Sequence, residues 1–207
     1  MSKNSTKPKG ATSYKQTAFG IIARTKLLPL ELEGTKKGLE YIDKSIQQEN
    51  LSPQYVLKLH HVAFGWIFPD WAGKYRSISV EYSGKEAPQP HLVPELLLNL
   101  CADLAERLKQ LNQESVDQIV GLLAWFQHCF VVIHPFQDYN GRLARMLTSF
   151  ILLKQNLPPI EITAETTKDR NAYLKAMYAA DDGDLSKLES LIRSAMDESL
   201  SKAIKSQ

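Results

Sequence analysis

Little in this chain points to a metal centre, a nucleic acid or a membrane. It holds only 2 cysteines, Cys101 and Cys129, both in apolar surroundings and in no metal-ligand spacing. They read as reduced core thiols, which leads us to expect a cytoplasmic protein. Histidine is also sparse. His60 and His61 are adjacent and so point to different sides of a helix, and the sequence has no His-x-x-x-His pair. A metal hydrolase is therefore not indicated. The formal net charge of +2 is too small to argue for nucleic acid or a membrane surface as partner. Much of the basic excess lies at Lys3, Lys7, Lys9 and Lys15. No N-terminal stretch resembles a signal peptide. No apolar run reaches the length of a membrane span. The nearest, Ile119 to Ile133, is interrupted by Gln127 and His128. Internal repeats are absent.

The remainder is that of an ordinary globular protein. Apolar residues make up 43% and charged residues 23% of 207 positions, enough for one domain with a substantial core. Residues 1–13 are almost all polar, Pro or Gly and read as a disordered basic tail. Pro29 and Gly34 punctuate an early loop, and a helix is expected over Thr35–Gln48 from Leu39, Ile42 and Ile46. Ser52-Pro53 has the form of an N-cap followed by Pro at the first helical position. Residues 77–91 alternate and then carry prolines, which predicts a small hairpin or extended flap. Further helices are expected from Pro94, over Ser115–Ile133, Asn140–Gln155, Thr167–Ala180 and Leu185–Ala203. Ser115–Ile133 is apolar on nearly every side and should be central. The fold class is all-α with one small β-hairpin flap.

The chemistry concentrates in Ile133-His134-Pro135-Phe136-Gln137-Asp138-Tyr139-Asn140-Gly141-Arg142-Leu143-Ala144-Arg145. Leu143, Met146, Leu147, Phe150 and Ile151 form one helical stripe, so a helix starts here. Arg142 and Arg145, about 60° apart on the helical wheel, fall near its first turn. That is the wrong end for cations, because the helix dipole is already positive there. Two arginines, exposed backbone N–H groups and Gly141 make sense together if an anion binds, and a polyphosphate is the natural ligand. Asp138 stands just before the helix, where a carboxylate caps the helix, holds Mg²⁺ beside phosphates, or does both. His134 lies on the same loop, where a neutral imidazole takes a proton from an attacking hydroxyl.

This stretch resembles the signature of the Fic (filamentation induced by cAMP) family, His-x-Phe-x-(Asp/Glu)-Gly-Asn-Gly-Arg-x-x-Arg. His134, Phe136, Asp138, Asn140, Gly141, Arg142 and Arg145 match it. Ala72-Gly73-Lys74-Tyr75-Arg76 is similar to the family segment leading into its flap, and Arg170, Tyr173 and Gly183-Asp184 to its later helix and loop. The resemblance implies a helical Fic domain over 51–203, preceded by a helical and loop segment over 14–50. It implies a Mg²⁺-dependent protein adenylyltransferase that moves AMP from ATP to a Ser, Thr or Tyr hydroxyl of a target protein. By the same likeness His134 is the general base and Asp138 the metal ligand. Tyr139, Asn140, Gly141, Arg142 and Arg145 hold the nucleotide, and Phe136 anchors the loop. Tyr173 is either core or an adenine contact.

Tyr139 departs from the family pattern, which has Gly there. A Gly takes positive φ freely, whereas a Tyr does so at a cost. Transfer of another phosphate-containing group (phosphoryl or UMP) stays open, as does a nucleotide-binding regulatory module with little turnover. Asp181, where relatives often have Asn, is a second departure that bears on base recognition. Many family members are restrained by a helix reading (Ser/Thr)-x-x-x-Glu-(Gly/Asn). Ser45-Ile46-Gln47-Gln48-Glu49-Asn50 matches it and makes Glu49 the candidate inhibitor. Otherwise restraint comes from a separate inhibitory protein or is absent; a homodimer is a further assembly left open.

Overall fold

The computed structural model describes residues 14–82, 84–162 and 166–205. The tail expected over 1–13 lies outside them. The architecture is helical, as the sequence predicts. An N-terminal hairpin, β1 (Tyr14–Thr17) and β2 (Gly20–Ala23), leads into α1 (Arg24–Ser45). Next come α2 (Pro53–Phe64) and a second hairpin, β3 (Glu81–Tyr82) with β4 (Lys85–Glu86). The chain then folds into α3 (Val93–Gln110), α4 (Val116–Ile133), α5 (Asn140–Lys154), α6 (Thr167–Asp181) and α7 (Ser186–Lys205).

Side-chain caps start several of these helices. Ser52 Oγ accepts from the Tyr55 N–H at 3.2 Å, with Pro53 following at the first helical position. Thr166 Oγ1 accepts from the Asp169 N–H at 3.1 Å and opens α6. Asn156, with φ 58°, turns the chain out of α5. α4 is the central helix, packed by α3, α5, α6 and α7. As a helix it runs three residues further back than the apolar stretch counted in the sequence, to 18 residues. By length and composition it matches a membrane span, yet its Leu123, Ala124, Phe126 and Phe130 are fully enclosed by protein.

Two expectations about the N-terminal region are corrected. Pro29 and Gly34 do not mark a loop. α1 starts at Arg24 and carries Pro29 inside it. Gly34 and Gly38 sit where α1 crosses its neighbours. A Cβ at Gly34 would run into the carbonyl oxygen of Ala63, and one at Gly38 would lie 2.7 Å from Met146 Sδ. These glycines are close-packing positions, so turn chemistry was the wrong reading of them. With Leu27 and Ile42 fully buried, α1 joins the same core as α2 and α5.

The β1–β2 hairpin also went unforeseen, because its strands are only 4 residues each. Thr17 closes it: its Oγ1 donates to the Gly20 carbonyl at 2.7 Å and accepts from the Phe19 N–H at 3.0 Å. The Ala18 N–H donates to the Ile67 carbonyl at 2.8 Å, and Phe19 packs edge-on against Trp66. The flap is shorter than the predicted 77–91. Among the described residues Glu81↔Glu86 and Tyr82↔Lys85 are in ladder register, and the Ala87 N–H donates to the Val80 carbonyl at 3.0 Å.

Candidate active site

The loop 134–139 joins the end of α4 to the start of α5 and is bracketed by two left-handed residues. His134 (φ 50°) caps α4 and Tyr139 (φ 64°) caps α5. Each such residue costs about 1–3 kcal/mol and persists only where its surroundings over-determine it. Here they do. Phe136 is fully buried and stacks on His60 with centroids 3.8 Å apart. Asn140 Oδ1 accepts from the Phe136 N–H and its Nδ2 donates to the Phe136 carbonyl, both at 2.9 Å. The Asn140 side chain is thus committed to shaping the loop.

Two residues to which the sequence assigned no role in the loop, His60 and Arg76, also hold it in place. His60 Nδ1 accepts from the Gly73 N–H at 2.8 Å, so its Nε2 carries the proton and donates to the Asp138 carbonyl at 3.2 Å. Burial pushes this imidazole down to about 4, and it stays neutral. Arg76, only 4% exposed, ties the loop to the flap. Its Nε donates to the His134 carbonyl at 2.7 Å, its Nη1 to Ile78 at 3.0 Å and its Nη2 to Pro88 at 2.5 Å. A histidine on the apolar face of α2, at helical spacing from Val56 and Phe64, was the signal available for His60. Arg76 was visible only as part of the segment before the flap.

His134 has one ring nitrogen committed to the backbone. Its Nδ1–H donates to the Val131 carbonyl at 3.1 Å, which leaves Nε2 as an acceptor. Burial lowers its pKa; the Val131 bond pulls the other way, and the nearby Arg76 charge lowers it further. The ring lies under the flap, stacked on Tyr82 at 5.7 Å.

His134 opens onto a cavity of about 320 Å³. Asp138, Tyr139, Asn140, Gly141, Arg142, Arg145 and Tyr173 line it too, so every nucleotide and metal candidate from the motif converges there. Arg170 lines it as well. The Arg145 guanidinium lies 5.4 Å from the Tyr173 ring centre. Tyr173 itself is buried, with its hydroxyl donating to Gln127 Oε1 at 3.3 Å, so it acts as floor. Asp138 does not cap α5. Its Oδ1 accepts from the Tyr139 N–H at 2.7 Å and its Oδ2 meets the Lys15 ammonium. Burial works to raise this carboxyl, but Lys15 and the Tyr139 N–H outweigh it and hold it below the usual range.

Tyr139 keeps the left-handed backbone that a glycine would give. Its ring compensates by stacking on Phe64 at 4.3 Å and lying parallel to Trp71 at 6.0 Å. Its hydroxyl donates to Glu31 Oε1 at 2.7 Å. Burial and Glu31 together push the phenol far up, so it remains a donor.

Glu31 is the main surprise. Its Oε2 accepts from Arg142 Nη2 at 3.1 Å, so a carboxylate from α1 sits on a motif arginine. The inhibitory sequence pattern does not find it, because Leu27 and Leu32 stand where that pattern needs Ser or Thr and Gly or Asn. Glu49 is exposed in the turn after α1, beside Tyr41 and Tyr55, and does not line the cavity. Asp181 does not line it either. It is nearly buried between His128 Nε2 at 2.8 Å and Lys85 Nζ at 3.2 Å, where it fastens the flap to α6. Its partner His128, on α4, is thereby satisfied within the fold.

Among the described residues no group of three or more His, Cys, Asp or Glu side chains converges to form a metal cage. A divalent ion would therefore rest on Asp138 plus phosphate oxygens. The donor set suits magnesium, which is commonly bound by one or two carboxylates plus substrate phosphates. The Lys15 ammonium on Oδ2 marks that oxygen as one that takes a cation.

The model of the Fic/DOC family matches residues 50–152, which hold the whole motif. A protein adenylyltransferase fic-1 of Caenorhabditis briggsae is 31% identical over 158 residues, covering 75% of this chain and 30% of the relative. A protein adenylyltransferase Fic of Nematostella vectensis is 27% identical over 178 residues, covering 82% and 38%. The chain thus spans about a third of the length of these curated relatives. Among solved structures, a Fic-domain signalling protein of Bacteroides thetaiotaomicron superposes with a TM-score of 0.73 at 24% identity, covering 89% of this chain and 74% of that one. The BepC protein of Bartonella tribocorum, solved with bound AMPPNP, gives 0.68 at 20% identity, covering 91% and 94%. Motif, fold and relatives agree: the chain belongs to the Fic/DOC family.

Proposed function

We propose that this protein transfers AMP from ATP to a hydroxyl side chain of a target protein. The observation that carries the reading is the fixed tautomer of His134, which leaves Nε2 as an acceptor on a residue lining the same cavity as Arg142, Arg145 and the start of α5. Relatives named as adenylyltransferases support the donor and the group transferred, and a similar fold with AMPPNP bound supports ATP.

In this reading the arginines and the N-terminus of α5 hold the phosphates. His134 Nε2 takes the proton of the target hydroxyl. The hydroxyl oxygen then bonds to the α-phosphorus while the bond to the bridging oxygen breaks, and pyrophosphate leaves. A magnesium ion at Asp138 would neutralise charge on the phosphates. The flap, fixed by Arg76 and by Lys85–Asp181, sets where the target segment lies over His134.

We infer a restraint as well, supported by the contact between Glu31 and Arg142. Glu31 occupies Arg142 with a negative charge and a hydrogen bond of the kind a phosphate would bring. ATP must displace it, so the resting protein is slow. The test uses ATP labelled on the α-phosphate beside ATP labelled on the γ-phosphate, with purified protein, Mg²⁺ and a cell lysate. Protein labelled from α alone supports AMP transfer. Label from γ alone replaces it with phosphoryl transfer. Binding without transfer, in wild type and Glu31→Gln alike, makes the protein a nucleotide-binding module.

A further inference from the structure

We propose that Lys15 is a tethered stand-in for the metal ion at Asp138, so that the β1–β2 hairpin governs cation uptake by the site. The inference rests on the reading of Asp138 as the metal carboxylate. Lys15 lies 123 residues from Asp138 in the chain, yet its ammonium sits on Oδ2. The other carboxylate oxygen is taken by the Tyr139 N–H. The ammonium is also 5.0 Å from the centre of the Tyr139 ring and 5.8 Å from that of Phe68, within the range of cation–π attraction. Its stem is not a loose surface chain. The hairpin that carries it is closed by Thr17, bonded to Ile67 through Ala18 and packed on Trp66 through Phe19.

A divalent ion and an ammonium cannot share Oδ2, because like charges at that separation repel strongly. The ion must therefore lift Lys15 out of its ring contacts before it binds. Apparent metal affinity falls by the fraction of molecules in which the lysine is away. With Glu31 on Arg142, one N-terminal segment presents both charges of a metal–phosphate ligand, the cation at Asp138 and the anion at Arg142.

The experiment is calorimetry of a non-hydrolysable ATP analogue binding to the full chain, with Mn²⁺ and with EDTA. Lys15→Met, which keeps the stem without the charge, should tighten binding roughly tenfold with Mn²⁺ and not with EDTA. Unchanged or weaker binding of Lys15→Met with Mn²⁺ overturns the inference. Asp138→Asn separates the two claims. It should erase the difference between Mn²⁺ and EDTA, and if it does not, the reading of Asp138 itself fails. Should Lys15→Met not fold, wild type with isotopically methylated lysines gives the answer. The Lys15 resonance should move as Mg²⁺ is added to the nucleotide-bound protein, and a resonance that stays put while Mg²⁺ binds overturns the proposal.

Discussion

Tyr139 shows how a side chain replaces a glycine without losing the glycine's backbone. The left-handed conformation costs about 1–3 kcal/mol, and an enclosed aromatic ring returns about 3–5 kcal/mol of packing. Tyr139→Gly should therefore lower stability by roughly 2 kcal/mol, read from urea unfolding, while the loop keeps its shape. A gain in stability would contradict this balance. Arg142 is argued at the same scale. In a Glu31→Gln background, where the Glu31 charge no longer competes with phosphate, Arg142→Ala should weaken ATP binding by about 1–3 kcal/mol, measured by calorimetry. The motif residues were legible because their spacing is fixed by one loop and one helix turn. Glu31 and Lys15 were not, because each reaches the site from more than a hundred residues away, at 108 for Tyr139–Glu31 and 123 for Lys15–Asp138. Nothing local marks either residue as different from a solvated charge.

At the scale of elements, the loop takes its shape from α2 and the flap. His60 links α2 to Asp138 and carries a pH signature. Its folded pKa, about 4, lies below the ordinary 6.5. Between those values the unfolded chain binds a proton that the folded chain does not. Stability is therefore full above pH 6.5 and falls as pH drops toward 4, by about 3 kcal/mol in all. Denaturant midpoints across that range should show a steeper acid loss in wild type than in His60→Gln, and parallel curves would contradict it. The helix–helix contact of α1 makes a second prediction. Gly34→Ala should destabilise the fold by about 1–3 kcal/mol, seen as a lower thermal midpoint, because the methyl meets the Ala63 carbonyl. From periodicity and caps, α2, α4 and α5 were readable. α1 was misread because Pro and Gly usually break helices, and only its neighbours reveal that Gly34 and Gly38 serve packing.

Over the whole molecule, the segment 14–31 brings Lys15, Arg24 and Glu31 to a cavity whose histidine, arginines and carboxylate all lie between residues 134 and 145. In the proposed function, the molecule thus joins a transfer site to contacts that fill it. The measurement that tests this account most directly is transfer from ATP labelled on the α-phosphate, run side by side for wild type, Glu31→Gln and Glu31→Gln with His134→Ala. Glu31→Gln keeps a hydrogen-bonding partner for Tyr139 and removes the charge from Arg142. The account predicts weak label with wild type, strong label with Glu31→Gln and none with the double variant. Label that is equal in wild type and Glu31→Gln, or that survives loss of His134, would contradict it.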